Sequence, residues 1–235
     1  LESYSFNAVV TCGNSENLLV EWAKRMRDEV GVKFQCIVCD ATKPDYEGCI
    51  IVPGGSSSNF KNTLPWICGA EAGCAVNASL TNAVYSGEYL SQEDALKYAS
   101  EYSQSDLEGF IEDGYFAFHR VGDEVRVLMD INSLVETTEN KGEVFKDNQT
   151  IRVCDQIATD IATIFNTSYL GKVQNDDIGR TALWGDIVKH HNTLVGLRAI
   201  ENFSSEDVTV EQGNTKKSVV VTDAITPVST MTKLY

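Results

Sequence analysis

Basic residues are scarce in this chain: 19 Lys and Arg stand against 34 Asp and Glu over 235 residues, a formal net charge of −15. A surface that tracks phosphates needs clustered Lys and Arg to displace counterions, so the charge argues against nucleic acid as a partner and against docking on an anionic membrane. It fits simple solubility or a partner of complementary charge. Long apolar runs are missing too, with none near the ~20 residues that cross a bilayer. The opening stretch, Leu1-Glu-Ser-Tyr-Ser-Phe-Asn-Ala-Val-Val10, has no leading Met, no basic n-region and no A-x-A cleavage pattern, and reads as the interior of something longer. Internal repeats and low-complexity tracts are absent. What is left, 43% hydrophobic and 23% charged residues, is the composition of a globular protein. A chain of this length buries roughly 70–75% of its unfolded surface, enough for one large or two small domains.

A disulfide framework is also lacking. The seven cysteines are odd in number and irregularly spaced, at 12, 36, 39, 49, 68, 74 and 154, and several have apolar neighbours. Reduced, buried thiols in a cytosolic protein are expected. Cys36-x-x-Cys39 has the spacing of a redox or zinc pair, but it falls in an apparent strand, where residues three apart face opposite sides, and no second pair completes a zinc site. The pair reads as core thiols.

Other candidate chemistry meets similar objections. His190 and His191 are adjacent, so on a helix their side chains diverge by about 100° and cannot share one metal ion. His119 has no evident nucleophile partner. Asp176-Asp177 could hold Mg²⁺ or act as an acid/base pair, yet it precedes a helix beside Arg180, where capping explains the acids. Gly54-Gly55-Ser-Ser-Ser58 lacks the Gly-Lys-Ser/Thr ending of a phosphate loop and reads as a flexible loop. No G-x-S-x-G elbow occurs. Asn77, Asn148, Asn166 and Asn202 fit the glycosylation sequon, which has meaning only in a secreted protein. No catalytic residue, metal site or cofactor is therefore expected.

Hydrophobic periodicity lays out an α/β (α+β) chain. Ser5 to Cys12 is a strand. Asn14 and Ser15 can cap a helix carrying Leu18, Leu19, Trp22, Ala23 and Met26 to a stop at Gly31. Phe34 to Cys39 and Gly48 to Val52 are further strands, giving a mixed, partly parallel sheet. Pro65 opens a helix to Ser79 whose many Gly and Ala residues invite close packing. A first unit ends near Ser86-Gly87, making residues 1–87 one domain and 88–235 a second. In the second, Ala95 to Tyr102 is a short helix. Gly122-Asp123 turns a hairpin that sets Phe116 and Phe118 in the same layer as Val125 and Val127. Ile151, Cys154, Ile157, Ala158, Ile161, Ile164 and Phe165 form an apolar helical stripe. Another helix, about Thr181 to Ile200, turns Leu183, Trp184, Ile187, Leu194 and Leu197 inward. Val208 to Glu211 and Ser218 to Asp223 are the last strands.

Several short motifs lie in order along this layout: Asp28-Glu29, Lys33-Phe-Gln35, Asp45-Tyr-Glu-Gly48, Trp66-Ile-Cys-Gly-Ala-Glu-Ala-Gly73, Val76-Asn-Ala-Ser-Leu-Thr81, Ile111-Glu-Asp-Gly114, Asp130-Ile-Asn-Ser-Leu134, Gly171-Lys-Val173, Asn175, Gly179-Arg180, Asn202-Phe203 and Pro227-Val228 with Met231 and Lys233-Leu-Tyr235. Together they resemble the tail sheath proteins of contractile phages and phage-like bacteriocin particles. The resemblance implies the middle α/β sheath domain in 1–87 and the inner, tube-proximal C-terminal domain in 88–235. It implies a structural subunit, not an enzyme, assembled in the bacterial host cytoplasm and later part of a virion or bacteriocin tail. Copies would stack helically around an inner tail tube protein, meet baseplate and tail terminator proteins, and contract to drive the tube through a cell envelope. Subunits would be joined by arms that add strands to a neighbour's sheet, with Val208, Val210, Val219 and Val221 as the receiving hairpin. Arg180, Lys189 and Arg198 would face the tube. Family members continue beyond both ends of this chain, so it reads as a fragment without its terminal arms and is expected not to polymerise alone. The competing reading is an α/β nucleotide- or phosphate-binding enzyme using Thr11-Cys-Gly-Asn-Ser15 at a helix N-terminus.

Overall fold

Five consecutive buried residues, Gln35–Cys39 (β2), form the central strand of a three-stranded parallel sheet, flanked by Ala8–Val10 (β1) and Cys49–Val52 (β3) in the order β1-β2-β3. A strand buried on both faces needs apolar or satisfied residues at every position, and the Cys-Ile-Val-Cys run supplies them. Cys36 faces a cluster with Val20, Ala23, Met26 and Phe34, whereas Cys39 faces the opposite cluster with Ile50, Leu64 and Ile67. The two thiols therefore lie on opposite faces, and Cys36 is instead the register partner of Cys49. The hydrogen bond with Cys36, and then burial, hold the Cys49 thiol well above its ordinary pKa, as suits inert core sulfur. The structure is a computed structural model that describes residues 5–13, 15–39, 41–55 and 58–232. It divides into two compact units, one reaching Ile151 and one formed by Arg152–Thr230.

In the first unit, helix α1 (Glu16–Arg25) buries Val20 and Ala23, continues as a wider turn over Met26–Val30 and stops where Gly31 turns left-handed at φ 86°. Helix α2 (Leu64–Gly73) opens with Pro65 in its first turn, as the sequence suggests, and is shorter than expected. Its glycines are not close-approach sites: a Cβ at Gly69 or Gly73 would meet nothing within 4 Å. Helix α3 (Gln92–Ala99) is capped by Ser91, whose side chain accepts from the Asp94 amide. Helix α4 (Gln104–Glu112) escaped the periodicity reading because no residue of it is buried, although Ser103 and Asp106 make a full capping box. Gly54-Gly55 is not a loose loop either. Tyr98 Oη donates to the Pro53 carbonyl and Tyr102 Oη to that of Gly54, both at 2.9 Å, and a Cβ on Gly55 would press on the Tyr98 ring at 2.7 Å. Ser56 and Ser57 lie outside the described residues, as do Asn14 and Lys233-Leu-Tyr235.

The expected domain boundary after Gly87 does not coincide with the division in the structure. Strands β4 (Phe118–Val121) and β5 (Glu124–Val127) form the predicted hairpin, and Phe116, Phe118, Val125 and Val127 do share one layer. That layer is the same core as Ile37, Ile50 and Ile67. Phe116 N–H donates to Ile51 O and Ser133 N–H to Cys49 O, so the segments on either side of the hairpin are tied to β3 although the hairpin stays a separate two-stranded sheet. The reason is apolar area: the hairpin alone cannot cover its aromatic face, and the β2–β3 layer can.

The C-terminal limit of this unit is held by Asn148, a fully buried amide and the first residue of helix α5 (Asn148–Ile164). Its Nδ2 donates to Asp130 Oδ1 (2.9 Å) and Ile131 O (3.0 Å), and its Oδ1 accepts from Gln35 Nε2 (2.9 Å). Asp130 in turn accepts from the Leu80 amide at 2.9 Å. Replacing Asn148 with Ala removes three buried hydrogen bonds, and urea denaturation should show a loss of about 2–4 kcal/mol. Asn148→Asp, which sets a third carboxylate beside Asp130 and beside Glu71, whose Oε1 lies 3.4 Å from Asn148 Nδ2, should cost more still.

Candidate functional site

The second unit is a helix layer under a bare hairpin. Helix α6 (Asp177–Gly196) starts at Asp176, whose side chain accepts from the Gly179 amide at 2.8 Å, so the paired acids cap a helix as the sequence indicates. Strands β7 (Val208–Gln212) and β8 (Val219–Asp223) pair antiparallel, Val210 opposite Val221 and Gln212 opposite Val219. The short strands β6 (Ile200–Glu201) and β9 (Thr226–Pro227) form a separate pair. Val208 is buried with Leu183 and Ile187, and Val210, Val219 and Val221 pack on the same cluster together with Ile161, Phe165 and Trp184. Leu183, Ile187 and Leu194 point inward as expected, while Leu197 is 48% exposed and the buried place is taken by His191.

The four valines have a second property that follows from register. Gly213 N–H donates to Ser218 O and Ala224 N–H to Asp207 O, which makes 213/218 and 207/224 hydrogen-bonded pairs. By alternation, the main-chain groups of 208, 210, 212, 219, 221 and 223 point away from the partner strand. Each strand is therefore an edge: among the described residues the ladder ends at two strands. The side chains of the valines anchor the hairpin to the helices, while their peptide groups line its open edges. One carbonyl is claimed, since Trp184 Nε1 donates to Val208 O at 3.1 Å.

Much of the Gly171–Arg180 stretch braces this hairpin. Gly171 adopts φ 69°, the left-handed turn that starts the loop back towards α6. Asn175 Nδ2 donates to the carbonyls of Ser218 (2.8 Å) and Lys216 (3.1 Å), tying that loop to the hairpin turn. Arg180 holds the loop from below through Asn175 O and Oδ1, at 3.2 and 3.0 Å, and pairs with Asp177. A Cβ on Gly179 would lie 2.0 Å from the Gln174 carbonyl oxygen, so only glycine fits. A shallow hollow lined by Tyr169, Val173, Arg180, Leu183, Lys217 and Val219 opens beside the first residue of β8.

The three basic residues proposed from sequence do not form one surface. Arg180 and Lys189 are nine residues, two and a half turns, apart on α6 and leave it on opposite sides. Arg180 spends its guanidinium on the brace just described. Arg198 lies past the helix end at φ 61°, with its N–H on Val195 O and that of Ala199 on Leu194 O, the bonding of a Schellman cap in a position that glycine usually fills. Lys189 and Arg198 are exposed.

For the phosphate-loop alternative, the helix start it needs carries Glu16, whose carboxylate meets Lys61 at 3.0 Å, so an acid occupies the place of an anion. Among the described residues no group of three or more His, Cys, Asp or Glu could hold a metal ion, and no helix is long and apolar enough to cross a membrane. Burial and the charge of Arg126 lower the pKa of His119 within β4, with no nucleophile beside it among its described contacts.

Two substitutions test this geometry. Gly179→Ala should destabilise the second unit by about 2 kcal/mol or more, because the clash is with main chain that cannot step aside. Arg198→Gly should stabilise it by about 1 kcal/mol by removing the left-handed penalty. Thermal unfolding followed by circular dichroism reads both.

Residues 1–133 match the phage tail sheath protein central domain, and residues 140–235 the phage tail sheath C-terminal domain. A sheath tail protein of Desulfitobacterium hafniense has the same fold at a TM-score of 0.83, with 30% identity, over 100% of this chain and 56% of its own. One from Listeria innocua gives a TM-score of 0.80 at 25% identity over 97% of this chain and 55% of its own. The phage-like element PBSX protein XkdK of Bacillus subtilis is 27% identical over 90% of this chain and 47% of its own length. The chain spans about half the length of the curated relatives it matches. The brace and hairpin thus sit within the matched C-terminal domain, the parallel sheet within the central one, and the chain belongs to the phage tail sheath family, a family of structural tail proteins.

Proposed function

We propose that this chain is the working part of a contractile sheath subunit, which stacks with copies of itself around an inner tail tube and contracts to drive the tube through a target cell envelope. The observation that carries the proposal is the β7–β8 hairpin: a two-stranded ladder, anchored by valines on one face and, among the described residues, open along both edges. An unblunted edge is a template for another strand, and native proteins usually cover it. An extended segment from a neighbouring copy completes the ladder.

Energetics favour an array over a pair. A strand of about five residues adds four or five main-chain hydrogen bonds at roughly 0.5–1.5 kcal/mol each, while ordering it costs about 1–2 kcal/mol per residue. One addition is near balance, so stability comes from many linked additions, in which each fixed contact raises the effective concentration of the next. Such an array holds together firmly yet lets subunits shift as rigid bodies. The inner tube, a baseplate and a tail terminator are the further partners in this scheme, assembly takes place in the host cytoplasm, and the released tail carries the product. It requires no cofactor. The exposed Lys189 and Arg198 serve as tube contacts, one residue at a time and not as a shared stripe with Arg180.

Co-expression of the full-length subunit with a tail tube protein and negative-stain microscopy should show sheathed tubes of uniform width; a persistent monomer beside bare tubes would overturn the reading. The sharper variant is Val221→Pro. Its N–H lies on the open edge, so the hairpin keeps its own ladder bonds while losing an acceptor-edge donor. Sheath assembly should fall by an order of magnitude or more, well beyond what the modest drop in melting temperature from lost Val221 packing accounts for. Charge reversal at Lys189 or Arg198 should weaken tube binding without changing assembly of the sheath on itself.

A further inference from the structure

His191 is fully buried in the second unit, with its ring 4.9 Å from that of Phe203. Its Nδ1 lies 2.9 Å from Ile187 O on the preceding turn of α6, and its Nε2 lies 2.8 Å from Asp223 Oδ2 at the end of β8. Both partners are acceptors only. A neutral imidazole has a single N–H, so one of these contacts would set lone pair against lone pair. The imidazolium supplies both donors, and it also balances Asp223, whose Oδ1 is buried without a partner.

His190 extends the chain. Its ring stands edge-on to His191 at 5.3 Å, with Nδ1 3.4 Å from His191 Nδ1 and Nε2 2.8 Å from Asp160 Oδ2 on α5. Assigned from these contacts, His190 donates from Nε2 to Asp160 and turns a lone pair towards His191. The charged groups facing the ring pair are thus Asp160 from α5 and Asp223 from β8. Asp186 and Lys189 of α6 line the hollow beside His190, and Asp186 accepts from Tyr169 Oη at 2.6 Å.

We propose that the His191–Asp223 pair is a proton-operated latch that fastens the end of β8, an open edge of the hairpin, to α6. With His191 charged, β8 is held flat on the helix layer and offers a fixed template. Without the proton, the half-buried Asp223 is left an uncompensated anion facing a ring that cannot satisfy both acceptors, and the end of β8 loosens. The regulatory meaning rests on the reading of the hairpin as a strand acceptor; the latch itself does not.

The direction of the pH dependence follows from the opposing influences on the ring. Burial disfavours the charge, but the bond and charge of Asp223 and the Ile187 carbonyl outweigh it, and the His191 pKa is raised. A raised folded pKa gives stability that is complete below the unfolded value of about 6.5 and is lost as pH rises through the folded value. The latch is shut in mildly acidic solution and opens towards alkaline pH.

The test is a nitrogen-15 NMR titration of the imidazoles, run beside amide hydrogen exchange corrected for intrinsic rates. Both ring nitrogens of His191 should carry protons at about pH 6. Protection of the Val220 and Thr222 amides, which bond across to β7, should fall about tenfold or more as His191 loses its proton. In His191→Gln that dependence should vanish. A His191 that is neutral at about pH 6, or β8 protection that is indifferent to its titration, overturns the latch, and the wild-type titration decides even where the variant fails to fold. Sheathed tubes that form with a pH-indifferent β8 sink the latch alone; an intact latch in a protein that never assembles sinks the acceptor reading alone.

Discussion

The amide of Asn148 is the constraint on which the first unit depends. It is fully buried and joins the central strand through Gln35, the loop through Asp130 and Ile131, and the first turn of the long helix α5. Asp130 passes the tie on to Leu80 and, through Ser79, to the segment after α2. A buried network of this kind holds only when every member is satisfied, which makes it specific as well as strong. It explains why residues 88–151 pack into the same core as the parallel sheet instead of folding apart. Their aromatic hairpin needs the β2–β3 face for burial, and their last polar residues close a network begun at Gln35.

The second unit solves the opposite problem. Its small hairpin buries one face on α5 and α6 and leaves both edges unpaired among the described residues, held in place by the Asn175 and Arg180 brace, by Trp184 and by His191. In the proposed reading as a strand acceptor, the same contacts would preorganise the template, so that joining a neighbour costs less order.

Several parts of this were legible in the sequence. Periodicity placed α1, α5, α6 and the valine strands, because amphipathic spacing reports burial directly. The left-handed stop at Gly31, the Gly122-Asp123 turn and the cap at Asp176 follow from local backbone chemistry. The split of Cys36 and Cys39 between faces follows from a period of two. Helix α4 was missed because it buries no residue, so it leaves no stripe, though Ser103 and Asp106 were its signal. The basic trio shows a different limit: one positive charge on a helix looks like another until its neighbours are known, and Arg180 is bonded to Asn175 and Asp177.

Local residues, then, determined the elements, the family and the alternation that turns four valines to one side. Tertiary structure alone decided which apolar layers merge, which asparagine becomes a hub, and which of two adjacent histidines is buried against a carboxylate 32 residues away. Hydrophobic spacing is written in near neighbours, whereas the partners of a buried polar group are brought by the fold from anywhere in the chain.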